Sequence, residues 1–91
     1  MQLKWTSKAL SDLARLHEFL LPVNRLAAAA VVQTLTRAPK ILLTNPRIGE
    51  QLFEFEPREV RRILAGQYEM RYEIACGVIY ILRVWHVRED R

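Results

Sequence analysis

The run Tyr68-Glu69-Met70-Arg71-Tyr72-Glu73-Ile74 decides the fold, because its apolar members fall on every second position and its charged members between them. That period of two predicts a strand with one buried face and one wet face. Cys76-Gly77 supplies a turn, and Val78 to Val87 is then nearly continuously apolar, as for a central strand covered on both faces. Upstream, Gly66-Gln67 predicts a second turn and Glu59 to Leu64 a partner strand, while Leu52 to Phe55 alternates more weakly and predicts another. The second half of the chain therefore reads as antiparallel sheet. Its exposed positions interleave Arg and Glu: residues 46–91 hold eight basic and eight acidic side chains.

The first half has a different period. Gln2 to Trp5 predicts a short strand, and Thr6 or Ser7 an N-cap for a helix reaching about Leu21. Ala9, Leu10, Leu13, Leu16, Phe19 and Leu20 recur at helical spacing and form its core stripe. Pro22 ends that helix. Asn24 can cap a second, from Arg25 to about Arg37, whose Leu26, Ala29, Ala30, Gln33 and Ala38 line suits close approach of two helices. Pro39, with no amide donor, should break it, leaving one further turn at Lys40 to Leu43, and Asn45, Pro46 and Gly49 mark a loop. The predicted class is α+β: a short N-terminal strand and an antiparallel helical hairpin packed on one face of a mostly antiparallel sheet, in the order β-αα-ββββ.

Ninety-one residues, 51% hydrophobic, suit one compact domain spanning 1–91. The six basic and two acidic residues before position 46 carry the whole net charge of +4. Eleven of the fourteen cations are Arg, which favours planar, bidentate contacts to carboxylate or phosphate. One cysteine makes no intrachain disulfide, and two His with one Cys are too few for the usual zinc sets, so no metal and no other cofactor is predicted. The apolar run Leu26 to Val32 is short for a membrane span, so no membrane partner is expected and the cytoplasm is the expected compartment.

Six arginines, Arg58, Arg61, Arg62, Arg71, Arg83 and Arg88, are candidates for binding phosphate or an acidic partner. Adjacent Arg61 and Arg62 must point to opposite faces of a strand and cannot both serve one site. Arg83 is the permanent charge in an otherwise apolar strand, so it needs water or an acidic partner. Strict alternation puts it on the face of Ile79, Ile81, Trp85 and Val87, with His86 on the other, unless a bulge intervenes. His86 suits a general base or a structural hydrogen bond. Glu54 and Glu56 would share a strand face without a third metal ligand in view.

Trp5-Thr6, Ala9, Asp12-Leu13, Asn24 with Ala27-Ala28, Pro46-Arg47-Ile48-Gly49, Arg58-Glu59-Val60, Tyr68, Tyr72, Ile74 and the run Ile79 to Arg88 occur together in an order that resembles the RelE/ParE superfamily of type II toxins, and its ParE branch more than the other. That resemblance covers nearly the whole chain. It implies a growth-inhibiting toxin with a cognate antitoxin as hetero-oligomeric partner. For the ParE branch it implies DNA gyrase as the target, bound without catalysis. For the RelE branch it implies cleavage of mRNA on the ribosome, here by Arg83, His86 and Arg88, and a third reading is an antitoxin-binding module without toxicity. RNA-cutting members carry Arg directly after the first Tyr of the penultimate strand and a Tyr or basic cluster near the end. Here Glu69 stands at the first place and the tail from Val87 has no Tyr, and a carboxylate beside a scissile phosphate would repel it. The expected antitoxin site runs across the helical hairpin and along an edge of the sheet.

Overall fold

A computed structural model describes residues 1–89. Strand β1 (Gln2–Trp5) leads into helix α1 (Ser7–Leu20) and helix α2 (Arg25–Arg37), followed by a 3-10 turn at Ala38–Leu43, β2 (Glu50–Gln51), a second 3-10 turn at Phe53–Phe55, and β3 (Glu59–Ala65), β4 (Tyr68–Ala75) and β5 (Val78–His86). The sheet order is β1-β5-β4-β3-β2; β1 runs parallel to β5 and the other neighbours are antiparallel. The expected class holds: a helical hairpin on one face of a mixed, mostly antiparallel sheet.

Both helix starts follow from their caps. The Thr6 hydroxyl accepts the Ala9 amide hydrogen at 3.2 Å, and the Asn24 side chain accepts that of Ala27 at 3.0 Å. From α1, Ala9, Leu13 and Leu16 enter the core, whereas Leu10 and Phe19 of the expected stripe are 52% and 77% exposed. The face expected for α2 is turned the wrong way. Ala28 and Leu35 are buried and Leu26 is 83% exposed, because the inward stripe runs through 28, 31, 32 and 35. By length and mean hydropathy the helical stretch Arg25–Leu43 would suffice to cross a bilayer. Here Pro39 interrupts its α-helical pattern, and Ala28, Leu35 and Leu42 are buried in the fold.

Residues 52–55 are not a strand. Leu52 still donates to the Val60 carbonyl at 2.8 Å, but the chain then coils into the 3-10 turn at Phe53–Phe55. Pro57 has no amide hydrogen with which to continue a ladder. Glu54 and Glu56 consequently share no strand face. Between this loop and the sheet, Gly49 packs so tightly that a Cβ there would stand 2.6 Å from both the Arg62 carbonyl oxygen and the Tyr72 hydroxyl. That hydroxyl accepts the Gly49 amide hydrogen at 3.0 Å and donates to the Pro46 carbonyl at 2.8 Å, so Tyr72 pins the loop from inside the core.

The bulge left open by the sequence is present in β5. Tyr72 pairs with Ile81 but Arg71 pairs with Arg83, so Leu82 is extra and the alternation of β5 slips by one. Ile79 and Ile81 therefore share the helix-covered face with Val84 and His86. Arg83 and Trp85 move to the opposite face, which corrects the grouping of Arg83 with Ile79 and Ile81. The bulge lies where β1 stops. The Thr6 amide and hydroxyl both donate to the Ile81 carbonyl, at 3.1 and 2.7 Å, and beyond that point α1 covers the edge of β5.

Candidate functional site

The bulge brings three arginines into register. Arg62 on β3 is the cross-strand partner of Arg71 on β4, and Arg71 is the partner of Arg83 on β5. Three arginines thus leave neighbouring strands about 4.8 Å apart, and like charges directly opposite cost stability unless they are compensated. Each member is compensated differently.

Arg62 donates to Glu50 and, at 3.2 Å, to Glu69, whose side chain is only 2% exposed. Arg83 makes a two-pronged contact with Asp12 of α1, Nε at 2.8 Å and Nη2 at 3.1 Å, reaching around the edge of β5. The same Asp12 carboxylate accepts the Val84 amide hydrogen at 2.9 Å, the backbone donor that β1 is too short to pair. Burial pulls the Asp12 carboxyl up, but the hydrogen bonds from Arg83 and Val84 and the charges of Arg83 and Arg15 outweigh it and hold the group below its ordinary range. Arg71 is held by rings. Its guanidinium carbon lies 5.1 Å from the centre of the Phe55 ring and 4.9 Å from that of Trp85, and the Glu69 carboxylate is 3.8 Å from its Nη2. Trp85 also takes Arg83 on its ring at 5.5 Å and is itself 5% exposed.

Of the six candidate arginines, the structure gathers Arg62, Arg71 and Arg83 into this row, with Arg58 nearby gripping Glu73, the residue two positions along β4 from Arg71, through two hydrogen bonds at 3.0 and 2.8 Å. Those bonds from Arg58, with its charge, hold the Glu73 carboxyl below its ordinary range. Arg61 points to the other face, as its position beside Arg62 required. There it bonds Glu59 at 2.9 Å and the Gly49 carbonyl at 2.8 Å and serves the loop. Glu69, Asp12 and Phe55 were not among the candidates. Asp12 carried a signal, as a carboxylate on the core stripe of α1, whereas the burial of Glu69 inside a regular charged alternation carried none.

Arg88 and His86 lie elsewhere. They line a groove of about 570 Å³ between the end of α1 and the end of the sheet, together with Arg15, Phe19, Leu20 and Tyr68. The His86 ring meets Tyr68 edge-on, 5.2 Å between centres, and its Nδ1 accepts the Arg88 amide hydrogen at 3.1 Å. Glu89 closes the rim, receiving the His86 amide hydrogen at 3.2 Å and Arg15 at 2.8 Å. A shallower recess of about 320 Å³ against α2 shares Tyr68 and His86, so the two form a ridge between paired depressions. Arg83 and His86 leave opposite faces of the sheet, and the groove is lined by His86 and Arg88 but not by Arg83. The tail residues 90 and 91 lie outside the described residues.

A profile of the ParE toxin of the type II toxin–antitoxin system, parDE, matches residues 3–91. The chain belongs to the ParE toxin family. It is 31% identical over 85 residues to Toxin RelE2 of Caulobacter vibrioides, covering 93% of each chain. Its fold is similar to a chain of the chromosomal ParDE toxin–antitoxin system from P. aeruginosa, with a TM-score of 0.79, 25% identity, and coverage of 94% of this chain and 95% of that one. The protein is a type II toxin, and membership of that class implies a cognate antitoxin as partner.

Proposed function

We propose that this toxin arrests growth by binding DNA gyrase through protein contacts, contributing no catalytic group of its own, and that its antitoxin occupies the groove beside α1. The carrying observation is the balance of charge on the arginine face. Among the described residues, Arg58 is matched by Glu73, Arg62 by Glu50 and Glu69, and Arg83 by Asp12. A face neutralised in this way generates little attraction for a phosphodiester chain, which is drawn by unpaired cations. The departure of Arg83 and His86 from opposite faces supports the same reading, since general acid–base cleavage needs base and phosphate clamp directed at one scissile bond. The groove suits the antitoxin because exposed Phe19 offers apolar surface at its lip and Arg15 and Arg88 offer charge.

Pulse labelling after induction of the toxin tests this. DNA synthesis is expected to stop first, with the purified protein stabilising gyrase–DNA cleavage complexes. An immediate collapse of protein synthesis with cuts in ribosome-bound mRNA would install the ribonuclease reading instead, and unimpaired growth would mean a module that binds antitoxin without toxicity.

A further inference from the structure

We propose that Arg71 is the anchor by which the sheet face grips a carboxylate of an acidic protein segment. This rests on the reading of the toxin as a protein that acts by protein contacts, and it names the contact. The three arginines of the row are unequal. Arg62 and Arg83 use their donors on the toxin's own carboxylates. Arg71 makes no side-chain hydrogen bond among the described residues, its Nε is buried without a partner, and Glu69 at 3.8 Å is an ion pair beyond hydrogen-bonding distance. The buried Nε is out of an incoming group's reach, but the Nη groups, which also donate no hydrogen bond among the described residues, keep their capacity for an acceptor from outside.

Its surroundings prepare it for that acceptor. Phe55 and Trp85 flank the guanidinium and hold it in place, so little side-chain freedom remains to be lost on binding. The side chain is 24% exposed, so part of it stays open to an incoming group beside the two rings. Rigid, aromatic-flanked arginines of this kind are the residues on which interface energy concentrates. A carboxylate fits better than a phosphate chain. Glu69 already neutralises part of the positive field, and the flanking arginines are matched by acids, leaving capacity for one acceptor rather than a row of them. Exposed Leu64, the cross-strand partner of Glu69, adds an apolar contact of the sort a protein segment uses and a phosphate backbone does not.

The test uses the fluorescence of Trp85 in the full-length Trp5→Phe protein, titrated at fixed ionic strength with a short oligoglutamate peptide and, separately, with an oligouridylate of equal length. The peptide is expected to change the Trp85 emission saturably. Arg71→Gln should weaken that response by about tenfold or more, the scale of a lost charge-assisted hydrogen bond, and Arg71→Lys should recover only part of it because lysine keeps the charge but neither the plane nor the fork. No saturable response, or one unchanged in Arg71→Gln, overturns the proposal. So does tighter binding of the oligouridylate, which would make the face a phosphate site. Should Arg71→Gln fail to fold, Arg71→Lys decides, with parental affinity counting against the anchor. Gyrase takes no part in these titrations, so their failure is distinguishable from a failure of the labelling experiment.

Discussion

On the helix-covered face of the sheet, Met70, Tyr72, Ile79, Ile81 and Val84 are fully buried against the helices. One residue away along the same strands, the other face carries Arg62, Arg71 and Arg83 in a cross-strand row, with Glu69 and Trp85 almost as inaccessible as the core. Burial on the first face comes from apolar volume that the hydrophobic effect packs without direction. On the second it comes from planar groups stacked and paired around charges, where each side chain depends on the geometry of its neighbour. The difference teaches that burial does not separate core from site in this protein; the manner of compensation does. The apolar face supports the fold, and on the charged face Arg71 is the member of the row that makes no side-chain hydrogen bond among the described residues.

The contrast breaks most sharply under truncation. Ile81→Ala on the helix-covered face is expected to cost about 2–5 kcal/mol, the range for a buried aliphatic that leaves a cavity. Leu64→Ala on the opposite face, where the side chain is 64% exposed, should change stability by no more than about 0.5 kcal/mol. Denaturant midpoints of the two variants check the pair. Equal losses would mean that the charged face is as much a packing surface as the apolar one.

Asp12 joins the two faces, since it sits on the core stripe of α1 and holds both Arg83 and the Val84 amide. Asp12→Ala leaves that buried amide hydrogen without its acceptor and should cost about 1–3 kcal/mol. The pH dependence carries the same information. The Asp12 carboxyl is held low in the folded protein, so the unfolded chain binds its proton more tightly. Its contribution is then fully present above the unfolded value of about 3.9 and is lost as pH falls through the lower folded one. Glu73, held down by Arg58, and Glu59, where Arg61 and Arg47 overcome the opposing effect of burial, titrate in the same sense. Unfolding midpoints should therefore drop on acidification below about pH 4, and Asp12→Asn should flatten part of that slope. A variant with the parental slope would show that Asp12 does not supply it.

The helix-covered face of β4 was legible because Tyr68, Met70, Tyr72 and Ile74 obey a local rule, and α+β class followed from the change of period at residue 50. The N-cap at Asn24 was legible for the same reason, being decided within one helical turn, and the first cap was narrowed to Thr6 or Ser7, of which the structure uses Thr6. What escaped is non-local. The bulge at Leu82 arises where β1 ends and α1 takes over the edge, so it depends on Thr6 and Asp12, some seventy residues away in sequence. The inward face of α2 was misread because alanines on both sides offer two apolar stripes of similar length, and only the packing partner chooses Ala28 and Leu35. The arginine row was half legible: opposite orientations for Arg61 and Arg62 follow from the pleat, but the alignment of Arg62, Arg71 and Arg83 needs the slipped register.

A similarly small expected effect sharpens the comparison within the charged face itself. Arg62 has two acidic partners, Glu50 at 63% exposure and Glu69 at 2%. If the row is held from inside, removing the outer partner should matter little: an exposed ion pair is screened by solvent and ions and opposed by side-chain entropy. Glu50→Gln is therefore expected to shift stability by well under about 1 kcal/mol, and the shift should vanish at high salt. The quantity to measure is the denaturant midpoint of parent and variant at low and high ionic strength. A loss above that range which persists in salt would show that Arg62 is anchored from the solvent side. The charged face would then be a set of surface pairs, and Glu69 would not be its organising acid.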